Sequence, residues 1–398
     1  MKFLHDWFLF CGKFIIPYLG WNFFFFGSHH YITYIKQKIR KIKRSVINLI
    51  EKTNVLRRKR IVTKYSTLVQ AAILYIVEGL SFQRLSDVMA AKYGVSMSDT
   101  AWKKQIIKIA PVFYEVMMTY LNSKSEEAES NNILGYSSYA IDATDIPLEG
   151  KKGTVLRAHT VYDLSKKACF KAHIADIHTG ESVKLHSVKA ENLYFADRAY
   201  GKTPQMEYML ENNAKFVFRF SPSQVRLFKN VDCTEKIDFK SYLSQDNTLS
   251  SIDCFFKGKK SVIKLRVIIS PIPKDKAENA AMKAKKKSVR KQNKLSKDTL
   301  IFAKWLFLAT SLSDVIPAEQ IVSAYRKRWQ IELHFKRSKS LLRFHRLRRC
   351  SYNYAFSIVS IWLAVTAFVY LLFNTLFSQI CRDISSFNVF SLFAFLIS

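Results

Sequence analysis

The chain has 398 residues, with 63 Lys and Arg against 31 Asp and Glu, so its formal net charge is +32. At 49% hydrophobic residues, with only 11 glycines and 8 prolines, it can bury the cores of two or three domains, and collagenous or low-complexity character is excluded. So large an excess of positive charge favours a polyanionic partner, nucleic acid first and an anionic membrane second.

The cysteines and the amino-terminal stretch indicate in which cellular compartment the protein is expected. Six cysteines stand far apart without a Cys-x-x-Cys pair, so neither a disulfide framework nor a zinc knuckle is expected, and a reducing compartment is. Residues 1–35 are rich in aromatics but are broken by Lys13, Pro17 and Gly20, and no small-residue cleavage site follows, so a secretory signal is not expected. We leave 1–35 and the tail 376–398 unassigned.

Residues 36–122 are expected to be helical and basic. Between Lys36 and Lys64 there are twelve basic residues and one acid, with apolar residues interleaved, a pattern typical of a basic amphipathic helix or arm. Short helices with glycine turns follow, and they resemble a helix-turn-helix as much as a plain three-helix bundle. The predicted helices are Leu68–Gly79, Phe82–Lys92 capped by Ser81 and ended by Gly94, and a third through Trp102 capped by Ser96 or Ser98.

The pattern changes after a polar, Ser-rich stretch, Ser123–Asn132, which is expected to be a linker. Strands and one helix then alternate, with turns at Gly150, Gly153 and Ser165, which predicts a mixed sheet covered by helices. The predicted elements are strands Ser138–Ile146, Thr154–Leu164, Cys169–Asp176, Leu193–Ala196 and Lys215–Phe220, with a helix Pro204–Asn212 before the last.

Residues 221–300 read as a β-rich and basic insertion. Short β-like runs at Cys254–Phe256 and Ser261–Ser270 lead into eight basic residues among the fifteen from Lys283 to Lys297. On one continuous helix five of these would share a face about 80° wide, which suits a duplex backbone, although a merely solvated helix is the alternative. The five residues are Lys283, Lys287, Arg290, Lys294 and Lys297.

Two aspartates stand out by their positions in predicted strands. Asp142 lies in the middle of an apolar strand, where a charged carboxylate is costly unless it binds a metal or pairs with a cation. Asp197 follows the strand Leu193–Ala196, and strand ends in α/β sheets are where sites assemble. Each aspartate alone also fits a cap or a structural ion pair. Asp145 follows Asp142 by three residues, so alternation points it to the opposite face of the sheet.

A third acid shares a helix face with other charges. The run Ala318–Arg343 has no Gly or Pro and predicts one long helix. Four of its residues fall within a stripe about 60° wide, and an exposed face with salt bridges between turns is the alternative interpretation. The stripe consists of Tyr325, Arg328, Glu332 and Lys339.

These residues carry a resemblance. Tyr, two residues, Arg, three residues, Glu, six residues, Lys is the signature of a branch of bacterial insertion-sequence DDE transposases, the family named for insertion sequence four, and the stripe matches every position and gap. The strand of Asp142 is similar to the family's Asp-x-Thr strand, and Asp197-Arg198-Ala199-Tyr200 to its Asp-Arg-Gly-Tyr, with Ala199 where glycine is usual. The resemblance covers about Thr67 to Leu372.

The resemblance implies an α/β fold with an RNase H-like mixed-sheet catalytic core, made of residues 133–220 and 301–375. The insertion 221–300 interrupts this core, and the helical DNA-binding region 36–122 precedes it. It also implies cut-and-paste transposition with two Mg²⁺ ions, or Mn²⁺ in their place, on Asp142, Asp197 and Glu332. The chemistry is consistent, because two Mg²⁺ ions about 4 Å apart activate a water and stabilise the leaving 3′ oxygen, and Mg²⁺ favours carboxylate oxygens.

The resemblance further implies contacts to the DNA end. Arg328 would grip a phosphate, Lys339 would supply a point charge and Tyr325 a hydroxyl donor. Trp305 matches a position where tryptophan stacks on a flipped base during hairpin formation, and a core residue of its strand is the alternative. Terminal inverted repeats and target DNA are the expected partners, with a homodimer in the synaptic complex, in the bacterial cytoplasm at the nucleoid.

Two other functions stay open at this point. A transposase-derived DNA-binding protein without catalysis is one alternative. A membrane-associated protein is the other, because Tyr354–Phe373 is 20 residues without a charge, long enough to span a bilayer. Serines, a threonine and two tyrosines dilute that segment and a strongly basic stretch precedes it, so we interpret it as a buried core helix and expect no stable membrane partner.

Overall fold

The structure is a computed structural model. It describes residues 44–45, 47–53, 62, 64–126, 132–147, 154–165, 168–243, 248–292, 296–341 and 351–364. The chain divides into two compact units, Met1–Glu127 with Ile146–Leu156 and Lys336–Ser398, and Ala128–Asp145 with Arg157–Phe335. The segments 1–35 and 376–398, most of the basic arm, and Lys294 lie outside the described residues.

The first unit is helical. Its described helices are α1 (Tyr65–Val77), α2 (Phe82–Tyr93), α3 (Asp99–Glu126) and the segments 44–52, in which residue 46 is not described, and 352–364. The predicted cap of α2 is confirmed, since the Ser81 hydroxyl accepts from the Arg84 amide, and so is its end at Gly94, which has a φ of +65° that favours glycine. For α3, Ser98 is the residue whose hydroxyl accepts, from the Ala101 amide at 3.3 Å.

Helix α3 runs further than expected. It continues to Glu126, so the first residues of the predicted linker 123–132 are helical and that expectation was wrong there. Once a helix is nucleated, each further residue adds a backbone hydrogen bond, and Glu and Lys are good helix formers. The polar composition of Ser123–Glu126 therefore did not end the helix.

The described part of the apolar segment near the carboxyl end packs as a core helix within this unit. Ser360 and Ile361 are fully buried, and the Ser357 hydroxyl donates to the Ile107 carbonyl on α3 at 3.4 Å. The Tyr354 hydroxyl lies against that of Tyr75 on α1. None of the helices within the described ranges has the length and apolarity that a membrane crossing requires. Residues 365–373 of the predicted segment lie outside the described part of the chain.

The second unit is built on an eight-stranded mixed sheet in the order β3-β2-β1-β4-β5-β8-β7-β6. The strands are β1 (Ser138–Pro147), β2 (Thr154–Asp163), β3 (Ala168–Asp176), β4 (Leu193–Ala196), β5 (Lys215–Arg219), β6 (Ser250–Lys257), β7 (Val262–Pro271) and β8 (Trp305–Thr310). The helices are α4 (Thr203–Glu211), α5 (Lys274–Lys291), α6 (Lys297–Phe302), α7 (Ala318–Arg326) and α8 (Trp329–Leu341), of which the residues from Lys336 on belong to the first unit.

The centre of the sheet is parallel, and the part from β5 to β6 is antiparallel. β4 runs parallel to both of its neighbours, β1 and β5, whereas β8 pairs antiparallel with β5 and with β7, and β7 antiparallel with β6. The two strands from the 221–300 segment therefore extend the same sheet through β8. The predicted mixed sheet covered by helices is confirmed.

Strand alternation sends side chains into two apolar clusters, one on each face of the sheet. In β4, Leu193 and Phe195 belong to the cluster that α7 covers, while Tyr194 and Ala196 belong to the other, which also contains Trp305. Both faces are thus buried, which explains the continuous apolar strand sequences.

The predicted single helix Ala318–Arg343 is wrong. α7 ends at Arg326 and α8 begins at Trp329. Between them the Lys327 and Arg328 amides bond three residues back, to the Ala324 and Tyr325 carbonyls, as in a 3₁₀ turn. Neither Gly nor Pro causes this break, so tertiary contacts override the helical propensity here.

The predicted cationic helix is also shorter than expected. α5 ends at Lys291, followed by Gln292 in the left-handed region at φ +53°, and Lys297 begins the separate helix α6 behind the Ser296 cap. The five cations therefore do not share one helix. The αL residue ends the run of helical backbone, and the Ser296 hydroxyl starts a new one by accepting from the Thr299 amide.

Candidate active site

The two aspartates lie next to each other on adjacent central strands of the sheet. β1 and β4 are parallel, and Ile141 pairs with Ala196 in the register. Asp142, within β1, and Asp197, directly after β4, each follow one of these paired residues, so they lie side by side on neighbouring strands about 4.8 Å apart. This juxtaposition follows from backbone pairing alone.

Asp142 is the more enclosed carboxylate. Its side chain is 16% exposed, and its Oδ1 accepts from the Ala143 amide at 2.8 Å. Burial raises the pKa of Asp142 to about 6; the Arg328 guanidinium opposes this shift, whereas the charges of Asp197 and Glu332 add to it. Three carboxylates are thus close enough to influence one another.

Arg328 joins two of these carboxylates. Its Nη1 lies 3.2 Å from Asp142 Oδ2, and its Nη2 donates to Glu332 Oε1 one turn further along the chain. The Arg328 and Asp142 side chains are 14% and 16% exposed, so their ion pair is shielded from solvent, whereas the Glu332 side chain is 35% exposed. The turn between α7 and α8 places Arg328 where it reaches both acids.

Asp197 is held by its own turn. Its Oδ1 accepts from the Ala199 amide at 2.9 Å, a local turn in which the side chain mimics a backbone acceptor. Ala199 has no positive φ, so alanine fits where the resembling family has glycine. The turn ends at Gly201, which packs directly on the end of β5.

The other two stripe residues are placed differently. Tyr325 is buried, and its hydroxyl donates to the Ala196 carbonyl at 3.4 Å; burial raises the pKa of this phenol. Tyr325 thereby anchors α7 to the strand that precedes Asp197. Lys339 lies in the last turn of α8.

The two tryptophans near the site differ in exposure. Trp305 opens β8 and is 7% exposed, with its side chain in the cluster on the face opposite to α7. Trp329, next to Arg328, is 55% exposed. The sequence analysis gave the stacking role to Trp305 and no DNA contact to Trp329, although the place of Trp329 directly after the signature arginine was a usable signal.

Two further polar groups, Glu181 and Tyr200, are influenced by the charges of the aspartates and were not predicted. The pKa of Glu181 is raised by burial and then by the charge of Asp197, so a fourth carboxylate lies nearby. Tyr200 is fully buried, and its hydroxyl has no hydrogen-bond partner among the described residues. The loop that carries Glu181 has no motif that could have indicated it.

The basic helix α5 is solvated. Its described cations include Lys283 and Arg290, both of them exposed, whereas for Lys287 only the helical backbone is described. Asp145, set aside in the sequence analysis, pairs instead with Arg157 at 2.8 Å.

The carboxylate oxygens of the site are suitable ligands for a hard divalent cation, but the side chains are not arranged to coordinate one together. Carboxylate oxygens are the ligands that Mg²⁺ prefers, and a cation would relieve the repulsion that raises the pKa of Asp142. Within the described ranges, no three His, Cys, Asp or Glu side chains are placed so that they could hold a metal ion together. Arg328 lies between two of the acids.

Comparison with known proteins gives a family. Residues 134–370 match the family model described as "Transposase DDE domain". The chain is 25% identical over 308 residues to the putative transposase InsL of insertion sequence element IS186A from Escherichia coli K12, covering 74% of this chain and 80% of that one. It is 26% identical over 309 residues to the transposase of IS421 from Escherichia coli, covering 74% and 81%.

A solved structure is similar at a lower level. The piggyBac transposase synaptic complex with hairpin DNA aligns with 85% of this chain and 73% of its own, at a TM-score of 0.42 and 12% identity. A likeness at this level does not establish a shared fold.

Proposed function

The chain belongs to the transposases with a DDE domain, and from this premise we propose that it moves an insertion sequence by metal-dependent cut-and-paste transposition. The observation that carries the proposal is the pairing of Ile141 with Ala196, which sets Asp142 and Asp197 side by side. The family match extends from before β1 to beyond α8, and the relatives are named as transposases of insertion sequence elements.

The three acids have the roles that this chemistry requires. Asp142, Asp197 and Glu332 would hold two Mg²⁺ ions, which supply an activated water and stabilise the leaving 3′ oxygen when bound. The buried setting of Asp142 keeps bulk water away, and its Ala143 hydrogen bond fixes its orientation. The strands β3-β2-β1-β4-β5-β8 are the part of the sheet that the proposed RNase H-like core comprises.

Arg328 and Lys339 would contact the phosphates of the DNA end. The guanidinium can grip a phosphate with two parallel hydrogen bonds, as it grips carboxylates here. Tyr325 would support Arg328 rather than the DNA, since its hydroxyl is engaged inside the protein and its ring lies 5.9 Å from the guanidinium. Synapsis of two ends by a homodimer is the assembly that we propose for this family member.

Sequence-tolerant phosphate contacts would come from the helical region 36–122 and from α5. The exposed cations of α5 support this proposal. Replacing Lys283, Lys287 and Arg290 with Gln should flatten the log–log salt dependence of DNA binding by about 2–3 units, at about 0.9 per phosphate. The control variant keeps every charge, with Lys283→Arg, Lys287→Arg and Arg290→Lys. An unchanged slope for the Gln variant would show that α5 is only solvated.

Cleavage of the flanking DNA tests the proposal. With Mg²⁺ and a duplex carrying the inverted repeat, the wild type should nick the element end and then produce hairpin or blunt ends. Glu332→Gln should bind the same duplex but cleave at least about 10³-fold more slowly. Glu319→Gln, an exposed acid on α7, is the matched control and should cleave normally. Normal cleavage by Glu332→Gln would overturn the assignment, and no cleavage by the wild type would favour an inactive DNA-binding derivative.

A further inference from the structure

Arg328 is expected to bind DNA, yet in the structure it forms ion pairs with two acids of the protein itself. Its guanidinium contacts Asp142 on the sheet and Glu332 on α8, while Asp197 accepts from a backbone amide instead. Two of the three acids therefore pair with one internal cation, whose single positive charge offsets only one of their two negative charges.

The backbone holds Arg328 in this place. Tyr325 is anchored to β4 through its hydroxyl, and the Arg328 guanidinium lies 5.9 Å from the centre of the Tyr325 ring. The tight turn between α7 and α8 then directs the side chain toward the aspartates. With 14% exposure, the guanidinium occupies space between the two carboxylates rather than solvent.

We propose that Arg328 is an exchangeable counterion that keeps Asp142 and Glu332 paired in the DNA-free protein and releases them when a backbone phosphate takes its guanidinium. The inference rests on the proposed function and adds a coupling between two bound partners. Because a guanidinium binds carboxylate and phosphate with the same fork geometry, one side chain can pass from the acids to the DNA. The vacated carboxylate oxygens are then free to bind a divalent cation.

The proposal predicts reciprocal coupling. If DNA raises the affinity for a cation, the cation must raise the affinity for DNA by the same factor. The exchange would keep the metal affinity of the site low until a DNA end is bound. It would thereby limit cleavage of DNA whose phosphates do not contact Arg328.

Mn²⁺ binding without turnover tests the proposal. Binding is measured from the electron paramagnetic resonance signal of the free ion. In the DNA-free protein, Arg328→Gln should bind Mn²⁺ about tenfold more tightly than the wild type, within the range of ordinary coupling energies. Arg326→Gln removes an equal charge from an exposed position two residues away and should leave the affinity unchanged. Equal or weaker Mn²⁺ binding by folded Arg328→Gln would overturn the proposal.

The wild type alone provides a second arm, which decides the question even if Arg328→Gln fails to fold. A short duplex carrying the inverted repeat should raise its Mn²⁺ affinity by about the same tenfold factor, and in Arg328→Gln this gain should disappear. A wild-type affinity that ignores the duplex would contradict the exchange. If Glu332→Gln fails to cleave while neither Mn²⁺ effect is found, the proposed function stands and this inference falls; normal cleavage by Glu332→Gln would remove the function itself.

Discussion

At the scale of single residues, Gly201 has no room for a side chain. A Cβ built there would lie 2.1 Å from the Arg219 carbonyl oxygen and 2.8 Å from Phe220 Cα, both of them backbone atoms. Gly201→Ala must therefore push the turn that carries Asp197 away from β5, and overpacking of this kind costs about 1–3 kcal/mol or more. We expect a lower thermal midpoint and reduced cleavage.

Gly180→Ala is the matched control, because a Cβ there meets nothing within 4 Å. It should leave both the midpoint and the cleavage rate near the wild-type values. A Gly201→Ala protein as stable as the control would show that the turn can shift freely, and the close approach would then have no role in placing Asp197.

The two tryptophans allow a second test at this scale. Trp305 is buried in the core, so Trp305→Ala should lower stability by about 3–5 kcal/mol and slow every step alike. Trp329 is exposed beside Arg328 and can stack on a base, which is worth about 1–3 kcal/mol. Trp329→Ala should therefore leave the thermal midpoint unchanged and make nicked ends accumulate.

Time courses of nicked, hairpin and blunt products, measured with the melting curves, separate the two roles. Accumulation of nicked ends by a stable Trp305→Ala protein would restore the stacking role that the sequence alone suggested for Trp305. An unaltered course for Trp329→Ala would remove Trp329 from the DNA contacts.

At the scale of elements, the strand β2 and the loop after β3 carry two buried histidines. None of the ring nitrogens of His159 and His186 has a hydrogen-bond partner among the described residues. Burial lowers the pKa of His159 to about 4, helped by the charges of Arg157 and His173, and lowers that of His186 to about 3. In the folded protein both histidines stay neutral.

Because the unfolded chain protonates these histidines near pH 6.5, it binds more protons than the folded chain below that pH. Stability should therefore fall as the pH drops from 6.5 towards 4, by up to about 1.4 kcal/mol per pH unit for each histidine. Thermal midpoints at pH 7, 6 and 5 measure this loss. His186→Leu should flatten the dependence, whereas His178→Gln, at an exposed position, should not; equal slopes for the two variants would refute the assignment.

Element boundaries were predictable where local chemistry sets them. The strands β1 and β4 were placed to within a residue because they are apolar runs bounded by turn residues, and α2 because Ser81 and Gly94 are strong cap signals. The break between α7 and α8 has no local signal. It depends on the contacts of Tyr325 with β4 and of Arg328 with Asp142, which only the folded chain provides.

The same distinction applies to the site. The signature spacing pointed to Arg328 and Glu332, and strand positions pointed to Asp142 and Asp197, but no spacing predicts that the arginine lies between the acids. The burial of Trp305 was likewise left open, because it depends on the pairing of β8 with β7 and β5, strands distant in sequence.

At the scale of the whole molecule, the net charge of +32 and the acidic site have opposite signs. A duplex neutralises the positive surface, whereas Asp142, Asp197 and Glu332 form a negative centre that a phosphate backbone would avoid unless cations intervene. In the proposed function, Arg328 and a bound divalent metal would supply such cations at one site.

A change of metal preference tests most directly whether Asp142, Asp197 and Glu332 bind the metal. Asp142, Asp197 and Glu332 are each replaced by Cys, and cleavage of the inverted-repeat duplex is measured in Mg²⁺ and in Mn²⁺. Because a thiolate disfavours Mg²⁺ more than the softer Mn²⁺, the ratio of the Mn²⁺ rate to the Mg²⁺ rate should rise at least about tenfold over the wild type in all three variants. Asp145→Cys, in its ion pair with Arg157, should keep the wild-type ratio. A wild-type ratio for any of the three site variants would show that its carboxylate does not bind the metal.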